Sequence, residues 1–280
     1  MNTNKSHFAR LDAAHFPEFL PNSVWLVGAG PGAPGLLSLL GYFALGQADI
    51  IIHDALVNAQ ILKMANPDAE LIYAGKRGGK PSTDQGDICK TMIASANDGK
   101  RVLRLKGGDP FMFGRGGEEC LALAEAGIKF RLVPGISAGI GGLAYAGIPL
   151  TMRQSNHSAI FLTGHDENGT MPSGVDWQKI ANASPVIVMF MAVKHLGSIT
   201  KKLLQAGRKP DEMLAIVSNA SLPEQSIVES TLGDVEKLLQ ENEIATPAIV
   251  IVGPVNSYRK TIDWFNPEKE PELFGENFGE

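Results

Sequence analysis

Short apolar runs alternate along this chain with longer segments that have helical spacing, and this alternation narrows the folds open to it. The runs are rich in Val, Ile and Leu, which is typical of strands buried on both faces of a sheet. Strands of this kind, separated by helices, form mostly parallel sheets, so we predict an α/β protein. The predicted strands are Val24–Val27, Asp49–His53, Glu70–Tyr73, Arg101–Lys106, Lys129–Val133, Ala159–Thr163, Val186–Phe190, Met213–Ser218 and Ala248–Val252.

Segments with apolar residues at helical spacing lie between these strands. A further segment, Gln225–Thr231, alternates in polarity and predicts an antiparallel hairpin strand before the last helix. The predicted helices are Gly35–Gln47, Asp84–Asn97, Gly116–Ala126, Gly139–Ala146, Val193–Ala206 and Asp234–Gln240.

A domain boundary is predicted near Pro134–Gly135, because five predicted strands precede it and the rest follow it. This divides the chain into two α/β domains with mostly parallel sheets, residues 23–135 and 136–259. One continuous doubly wound sheet is the alternative that length leaves open. The two ends, residues 1–22 and 260–280, are polar and poor in periodicity, and we interpret them as tails.

Composition and charge exclude several classes of function. The formal net charge of −5 does not favour a protein that coats nucleic acid or binds a membrane surface. No apolar run is long enough to span a bilayer, and the first residues lack the apolar segment of a signal peptide. Cys89 and Cys120 stand apart, without the spacing of a metal site. We therefore expect a cytoplasmic protein with two reduced thiols and no metal.

The sequence VGAGPGAPG, residues 27–35, follows the first predicted strand and precedes a leucine-rich segment. A glycine loop in this position is typical of dinucleotide-binding proteins. Such loops hold pyrophosphate with backbone N–H groups at a helix N-terminus, and proline has none to donate. Pro31 and Pro34 lie where those donors are needed, and Ala33 replaces the third glycine. The prolines therefore argue against a nicotinamide dinucleotide.

A segment that is rich in glycine, charged, or both follows each of the first five predicted strands. In open α/β sheets, ligands bind beyond the carboxyl ends of the strands, so these residues predict a site there. The five segments are GAGPGAPG, His53-Asp54-Ala55, Gly75-Lys76-Arg77-Gly78-Gly79, Lys106-Gly107-Gly108-Asp109-Pro110 and Pro134-Gly135-Ile136-Ser137-Ala138.

Asp54 follows three isoleucines, so its carboxylate would leave a buried strand at this edge. It is a candidate general base, with a helix N-cap as the structural alternative. Lys76 and Arg77 stand beside glycines at a strand end, where they could meet an anion or transfer a proton. They could also be solvated charges.

The densest stretch is RVLRLKGGDPFMFGRGGEE, residues 101–119. Gly107 and Gly108 would let a ligand approach the backbone, and Phe111 and Phe113 flank Met112 as an apolar wall. Glu118 and Glu119 open a predicted helix, where acidic residues also suit the helix dipole, so capping is their structural alternative.

Together these segments identify a family. VGAGPGAPG, HDALV, GKRGG, LKGGDPFMFGRGGEE, PGISAGIGGLAYAGIPLTMRQ, FMA and ATPAIVIVG resemble the uroporphyrinogen-III C-methyltransferases of the tetrapyrrole methylase superfamily. The resemblance runs from about Val24 to Val255. It implies two α/β domains with the active site in the cleft between them. In some relatives the unit follows a dehydrogenase/chelatase portion, and for this chain we expect the methylase unit alone.

The resemblance also implies the reaction. Two methyl groups pass from S-adenosyl-L-methionine to C2 and C7 of uroporphyrinogen III, which gives precorrin-2 and S-adenosylhomocysteine for cobalamin or siroheme biosynthesis. A homodimer is implied as well. S-adenosylmethionine has no pyrophosphate, so a proline-bearing loop is compatible with it.

Residue roles follow by position from the resemblance. Asp54 and Lys76 match the family's proton acceptor and donor, and Glu118 is a second candidate for the base. Arg115, Glu118 and Arg153 match positions that handle the tetrapyrrole, and the two arginines would bind its carboxylates. Contacts with the methyl donor fall on Pro31, Gly107, Gly108, Asp109, Met112, Ser137, Ala138, Met191 and Ala220. Ala220 departs from the family pattern, since many relatives have NGT where this chain has Asn219-Ala220-Ser221.

Two other classes of function remain as alternatives. A non-catalytic tetrapyrrole- or nucleotide-binding module would need the glycine-rich strand ends but not Asp54, Lys76 and Glu118 together. A nicotinamide-dependent dehydrogenase would need the glycine loop to hold phosphate. Within the superfamily, methylases of more elaborated rings share the GGDP segment, whereas GRGGEE and TMRQ favour uroporphyrinogen III.

Overall fold

The computed structural model describes residues 13–75, 85–166 and 168–266. Its first half is a five-stranded sheet of order β3-β2-β4-β1-β5, in which every neighbouring pair is parallel. This part confirms the predicted parallel, helix-covered sheet. Its strands are β1 (Ser23–Gly28), β2 (Ile50–His53), β3 (Glu70–Tyr73), β4 (Arg101–Lys106) and β5 (Lys129–Val133).

Helices cover both faces of this first sheet. One face packs Trp25, Ile51 and Leu103 against Leu45, and the other packs Ile52 against Met92. The helices are α1 (Leu39–Gln47), α2 (Ala59–Leu62), α3 (Gln85–Asn97) and α4 (Gly116–Glu125). The helix predicted over Gly35–Gln47 is shorter, because Ser38 caps it by accepting a hydrogen bond from the Gly41 N–H. A short 3-10 turn, Pro34–Leu36, precedes that cap.

The second half is a five-stranded sheet of order β6-β7-β10-β8-β9. Its strands are β6 (Ile160–Thr163), β7 (Ile187–Phe190), β8 (Met213–Ser218), β9 (Ser226–Thr231) and β10 (Ala248–Val252). Within this second sheet, as far as it is described, β6 and β7 are parallel and the other three neighbouring pairs are antiparallel. The prediction that both sheets are mostly parallel is therefore wrong for this one, which is mixed.

The mixed pattern has a local cause. The hairpin strand predicted over Gln225–Thr231 is present as β9, antiparallel to β8, and it reverses the direction of the chain. Helix α8 (Val235–Glu241) then connects β9 to β10, which enters the sheet on the other side of β8. Because β9 and β10 run the same way, β10 is antiparallel to both of its neighbours, β7 and β8.

The second half also contains a π-helical turn over Ala138–Gly142, which continues into α5 (Leu143–Tyr145), and the helices α6 (Trp177–Ala183) and α7 (Leu196–Gln205). The helix predicted over Gly139–Ala146 is thus a π-helical turn followed by a very short α-helix. π-helical turns are rare in proteins, and those that do occur are often found at functional sites.

The inner ends of the segments interpreted as tails pack against the folded part. Phe19 is buried and stacks on Trp25, with ring centroids 4.5 Å apart. At the other end, the rings of Trp264 and Phe265 lie 5.0 and 4.8 Å from that of Tyr145. The limits predicted for the domains and tails remain a prediction. Within the described part, no helix is both long and apolar enough to cross a membrane.

Candidate active site

The loops that follow β1, β4 and β5 meet at the carboxyl end of the first sheet. Gly30 and Gly108 exchange two backbone hydrogen bonds, of 2.7 and 3.2 Å, and so form an isolated antiparallel bridge. Gly135, after β5, lies so close that a Cβ on it would be 2.2 Å from the Gly108 carbonyl oxygen. Glycine is required there because no side chain fits between the two backbones.

Asp109 holds these loops in place. Its Oδ1 accepts a hydrogen bond of 2.8 Å from the Phe111 N–H, and its Oδ2 accepts one of 3.0 Å from the Gly135 N–H. The carboxylate therefore fixes the GGDP segment to the start of the loop that carries Ser137 and Ala138. Asp109 is one of the residues predicted to contact the methyl donor, and its side chain fixes the loops around that position.

The glycine loop also contacts the second half of the chain. A Cβ added to Gly32 would lie 2.9 Å from the Ala220 carbonyl oxygen, and the Ala33 N–H donates to the Ser221 Oγ at 3.0 Å. Pro31 lies beside Gly141 of the π-helical turn. The structure thus brings Pro31, Ala220 and the turn after Ser137 to one place between the two sheets.

The loop after β4 reaches the end of β7. The rings of Phe113 and Phe190 are 5.1 Å apart, which brings the segment containing Met112 toward Met191. Met191 is left exposed and has a positive φ of 53°. The nine residues predicted to contact the methyl donor therefore belong to loops that converge between the two sheets, at a place that we call the junction.

Two features of the junction suit a ligand. Ser137 is buried, and its hydroxyl has no hydrogen-bond partner among the described residues. At Gly108, with φ +65°, the nearest atom to an added Cβ is the Ala138 nitrogen at 3.9 Å, so the space beside it is open. Buried polar groups are almost always paired, which makes the Ser137 hydroxyl a candidate contact for a bound molecule.

Asp54 lies at the end of β2, next to β4, with its side chain 28% exposed. The structure adds charged partners that the sequence analysis missed. Arg104 donates from Nη2 to Asp54 Oδ1 at 2.5 Å, and Lys106 Nζ is 3.9 Å from Asp54 Oδ2. Behind them, Glu119 Oε1 accepts from Arg104 Nε at 3.0 Å and from Lys106 Nζ at 3.1 Å.

Burial affects the pKa of both cations in this cluster. It lowers the pKa of the Arg104 guanidinium, but the carboxylates of Asp54 and Glu119 outweigh it, and the pKa is raised overall. For Lys106, burial and the nearby Arg104 charge lower the pKa of the ammonium despite the two carboxylates. The sequence does contain a signal for this cluster. Arg104 and Lys106 alternate with leucines inside a predicted buried strand, and buried charges need partners of opposite charge.

Glu119 lies in the first turn of α4, as the sequence predicts, but its main contacts are with the buried cations. Its side chain is fully buried in the ion cluster, and the helix N-cap position is Arg115, with no side-chain cap hydrogen bond. Glu118 is instead exposed and accepts two hydrogen bonds from Arg115, at 3.0 and 2.7 Å. The hydrogen bond from Arg115 lowers the pKa of the Glu118 carboxyl. Glu118 is thus paired with Arg115 at the surface and takes no part in the buried ion cluster around Asp54.

Arg115 and Arg153 both line open surface depressions. Arg153 is exposed and lines an open depression of about 790 Å³, formed by Thr151, Met152, Arg153, Gln154, Asn156 and His157. Arg115 lines a second depression of about 370 Å³, formed by residues 110–118 except Met112. Lys76 and Arg77 lie outside the described residues. In the part of the chain that is described, no group of three or more His, Cys, Asp or Glu residues could hold a metal ion.

Residues 23–236 match the family model of the tetrapyrrole (corrin/porphyrin) methylases. The chain belongs to the tetrapyrrole methylase family. This confirms the resemblance read from the glycine loop and the GGDP and TMRQ segments. A relative in this family, a uroporphyrinogen-III C-methyltransferase of Sinorhizobium sp, is 57% identical over 251 residues, which is 90% of each protein.

Longer members of the family match as well. A siroheme synthase of Zymomonas mobilis is 44% identical over 247 residues, and the chain spans about half of that protein's length, 52%. Among solved structures, the uroporphyrin-III C-methyl transferase from Thermus thermophilus complexed with S-adenosyl homocysteine has a TM-score of 0.74 and 37% identity. That match covers 84% of this chain and 99% of the other. A cobalt precorrin-4 methyltransferase has a TM-score of 0.73 at 25% identity, over 83% of this chain and 95% of the other.

Proposed function

We propose that this chain is an S-adenosyl-L-methionine-dependent C-methyltransferase that adds two methyl groups to uroporphyrinogen III, at C2 and C7. Its products would be precorrin-2 and S-adenosylhomocysteine. The observation that carries the proposal is the convergence of the glycine loop, the GGDP segment, the turn after Ser137 and residues 191 and 220 at one junction between the sheets. The named activity of the relative at 57% identity supports the choice of substrate.

The residues at the junction fit the methyl donor. S-adenosylmethionine supplies a sulfonium that is already activated toward displacement by an electron-rich carbon. The Ser137 hydroxyl and the open space beside Gly108 are available to hold it. No pyrophosphate has to be bound, so the missing N–H of Pro31 is no disadvantage. The protein contributes alignment, which can supply about 7–11 kcal/mol in the best intramolecular cases.

We assign proton removal from the ring to Asp54. It lies at the end of β2 beside Gly107, whose added Cβ would touch Leu56, two residues after Asp54, at 2.7 Å. Glu118 is engaged by Arg115, so it is better suited to orienting that arginine. Lys76 remains our candidate for the proton donor.

Recognition of the substrate requires a local basic surface, because the tetrapyrrole is a polycarboxylate and the chain carries a net charge of −5. Arg115 and Arg153 line open depressions on the surface. We propose that both bind ring carboxylates, for which the guanidinium fork is well suited. A homodimer, a cytoplasmic location and supply of precorrin-2 to cobalamin or siroheme synthesis complete the proposal.

The proposed activity can be tested by incubating the protein with S-adenosylmethionine and uroporphyrinogen III without oxygen and measuring the mass of the product. We expect a gain of two methyl groups and release of S-adenosylhomocysteine. The Asp54→Asn variant should bind S-adenosylhomocysteine normally but lose turnover by roughly 10²–10⁴-fold, the usual contribution of a general base. An unchanged tetrapyrrole mass with the unmodified protein would overturn the proposed function.

A further inference from the structure

A buried cluster of two cations and two carboxylates joins β2, β4 and α4 at the candidate site. Glu119 Oε1 accepts three hydrogen bonds, from Arg104, Lys106 and the Gln85 amide, the last at 3.0 Å. Glu119 Oε2 is buried and has no hydrogen-bond partner among the described residues. Glu119 and Asp54 are linked through Arg104 and Lys106, because each of these cations lies within 4 Å of both carboxylates.

Two cations lie beside the Asp54 carboxylate. Positive charges so placed oppose protonation of a carboxylate unless another negative charge balances them. Arg104 and Lys106 lie within 4 Å of Asp54 and are themselves 2% and 4% exposed, so water screens them little. A second carboxylate beside the same two cations offsets their combined charge.

We propose that Glu119 is a positioning residue for Asp54: by sharing Arg104 and Lys106, it keeps the Asp54 carboxylate oriented and able to accept a proton. The inference rests on the proposed function, in which Asp54 is the base. The position of Arg104 supports it, because its guanidinium contacts the two carboxylates through different nitrogens, Nη2 and Nε. An ion pair of Arg104 and Glu119 that served only to stabilise the fold would need no contact with Asp54 at the end of β2.

Other titratable groups pack around the cluster. His53 precedes Asp54 and has Nδ1 3.3 Å from the Asp54 carbonyl oxygen, and the His53 ring packs edge-on against Tyr73. From α3 and α4, Cys89, Cys120 and Glu118 interact electrostatically with members of the cluster. Burial raises the pKa of both thiols, which keeps them uncharged near neutral pH. Lys106 and Glu119 are therefore the charged groups that the test varies.

The test compares Lys106→Met with the double variant Lys106→Met/Glu119→Gln. Glu119→Gln alone would leave the buried ammonium short of a counterion, so the lysine is removed in both proteins. In Lys106→Met, Arg104 faces two carboxylates, and the Asp54 carboxyl should titrate about one pH unit higher than in the unmodified protein, a tenfold change in proton affinity. Adding Glu119→Gln should return the midpoint to near its original value.

The first readout is the Asp54 carboxyl signal in protein with isotope-labelled aspartate, assigned with Asp54→Asn and followed by NMR across pH. It needs no substrate. The second is the acid limb of the kcat profile for methyl transfer, which should move with the NMR midpoints. Glu212→Gln serves as the matched control, because Glu212 pairs with Arg208 in the other half of the chain. It should cost stability but leave both midpoints in place.

The outcomes separate this inference from the proposed function. Opposite shifts of the Asp54 midpoint in the two variants support it, even if no methyl transfer to uroporphyrinogen III is detected. If methyl transfer occurs but either shift is absent or reversed, Glu119 serves folding only, and the inference is overturned. Should the double variant be too unstable to titrate, Glu119→Gln alone is titrated instead: a fall of the Asp54 midpoint supports the inference, and an unchanged midpoint overturns it.

Discussion

Two adjacent glutamates of the candidate site differ in burial and in the charged residues they contact. Glu118 and Glu119 both begin α4, yet Glu118 is exposed and pairs with Arg115, while Glu119 is fully buried with Arg104 and Lys106. Successive residues on a helix point about 100° apart, so only one of the two can face the sheet. Which one does so depends on how α4 is rotated against β4.

This difference leads to a kinetic prediction for Arg115 and Glu118. Arg115→Ala should lower kcat/KM for uroporphyrinogen III about tenfold to a hundredfold, since a charge-assisted hydrogen bond contributes about 1.5–3 kcal/mol. Glu118→Gln should lower kcat by less than tenfold, because it removes only a partner of Arg115. Steady-state kinetics, together with calorimetry of S-adenosylhomocysteine, which should bind both variants normally, will check this. A loss of a hundredfold or more in kcat for Glu118→Gln would mean that Glu118 is the base.

At the scale of elements, the start of α4 is set by its contact with the preceding loop. Gly116 donates its N–H to the Pro110 carbonyl oxygen at 3.0 Å, and an added Cβ would lie 2.4 Å from that oxygen. Gly117, one residue later, is exposed, and an added Cβ would meet nothing within 4 Å. The two glycines therefore differ in what they do, although both stand in the first turn.

Substitution of these glycines should have opposite effects on the free energy of unfolding. Gly117→Ala should raise it by about 0.5–1 kcal/mol, because alanine lowers the entropy of the unfolded chain and favours the helix. Gly116→Ala should lower it by roughly 1–3 kcal/mol, the usual cost of forcing atoms into a packed region. Urea unfolding of both variants measures this directly. Equal effects would show that the contact with Pro110 does not determine where α4 begins.

At the scale of the whole molecule, the glycine loop is held by both halves of the chain. Gly30 is bridged to Gly108 of the first sheet, and the Ala33 N–H donates to the Ser221 hydroxyl, which follows β8 of the second. Both Ala33 and Ser221 are buried, so this hydrogen bond is shielded from water. The geometry of the candidate donor site thus depends on the seating of one half on the other.

Ser221→Ala should therefore weaken both folding and ligand binding. It leaves a buried N–H unpaired, which costs about 1–3 kcal/mol, and we expect S-adenosylhomocysteine to bind about tenfold more weakly. Ser257→Ala is the control, because its exposed hydroxyl bonds only locally to the Pro254 carbonyl, and its effect should stay within about 0.5 kcal/mol. Urea unfolding and calorimetry measure the two effects. Unchanged affinity in Ser221→Ala would show that the loop keeps its position without the second half.

The amino-acid pattern alone predicts the α/β class, the positions of most strands and the family, because buried parallel strands are continuous apolar runs and the glycine-rich strand ends are specific strings. Strands β3, β4, β5, β8 and β10 have the bounds predicted for them. The antiparallel entry of β10 into the second sheet is visible only in the folded chain, since strand order depends on contacts between distant segments. The same holds for the pairing of Arg104 and Lys106 with Glu119. Charges so far apart in sequence become partners only when a helix packs onto a sheet.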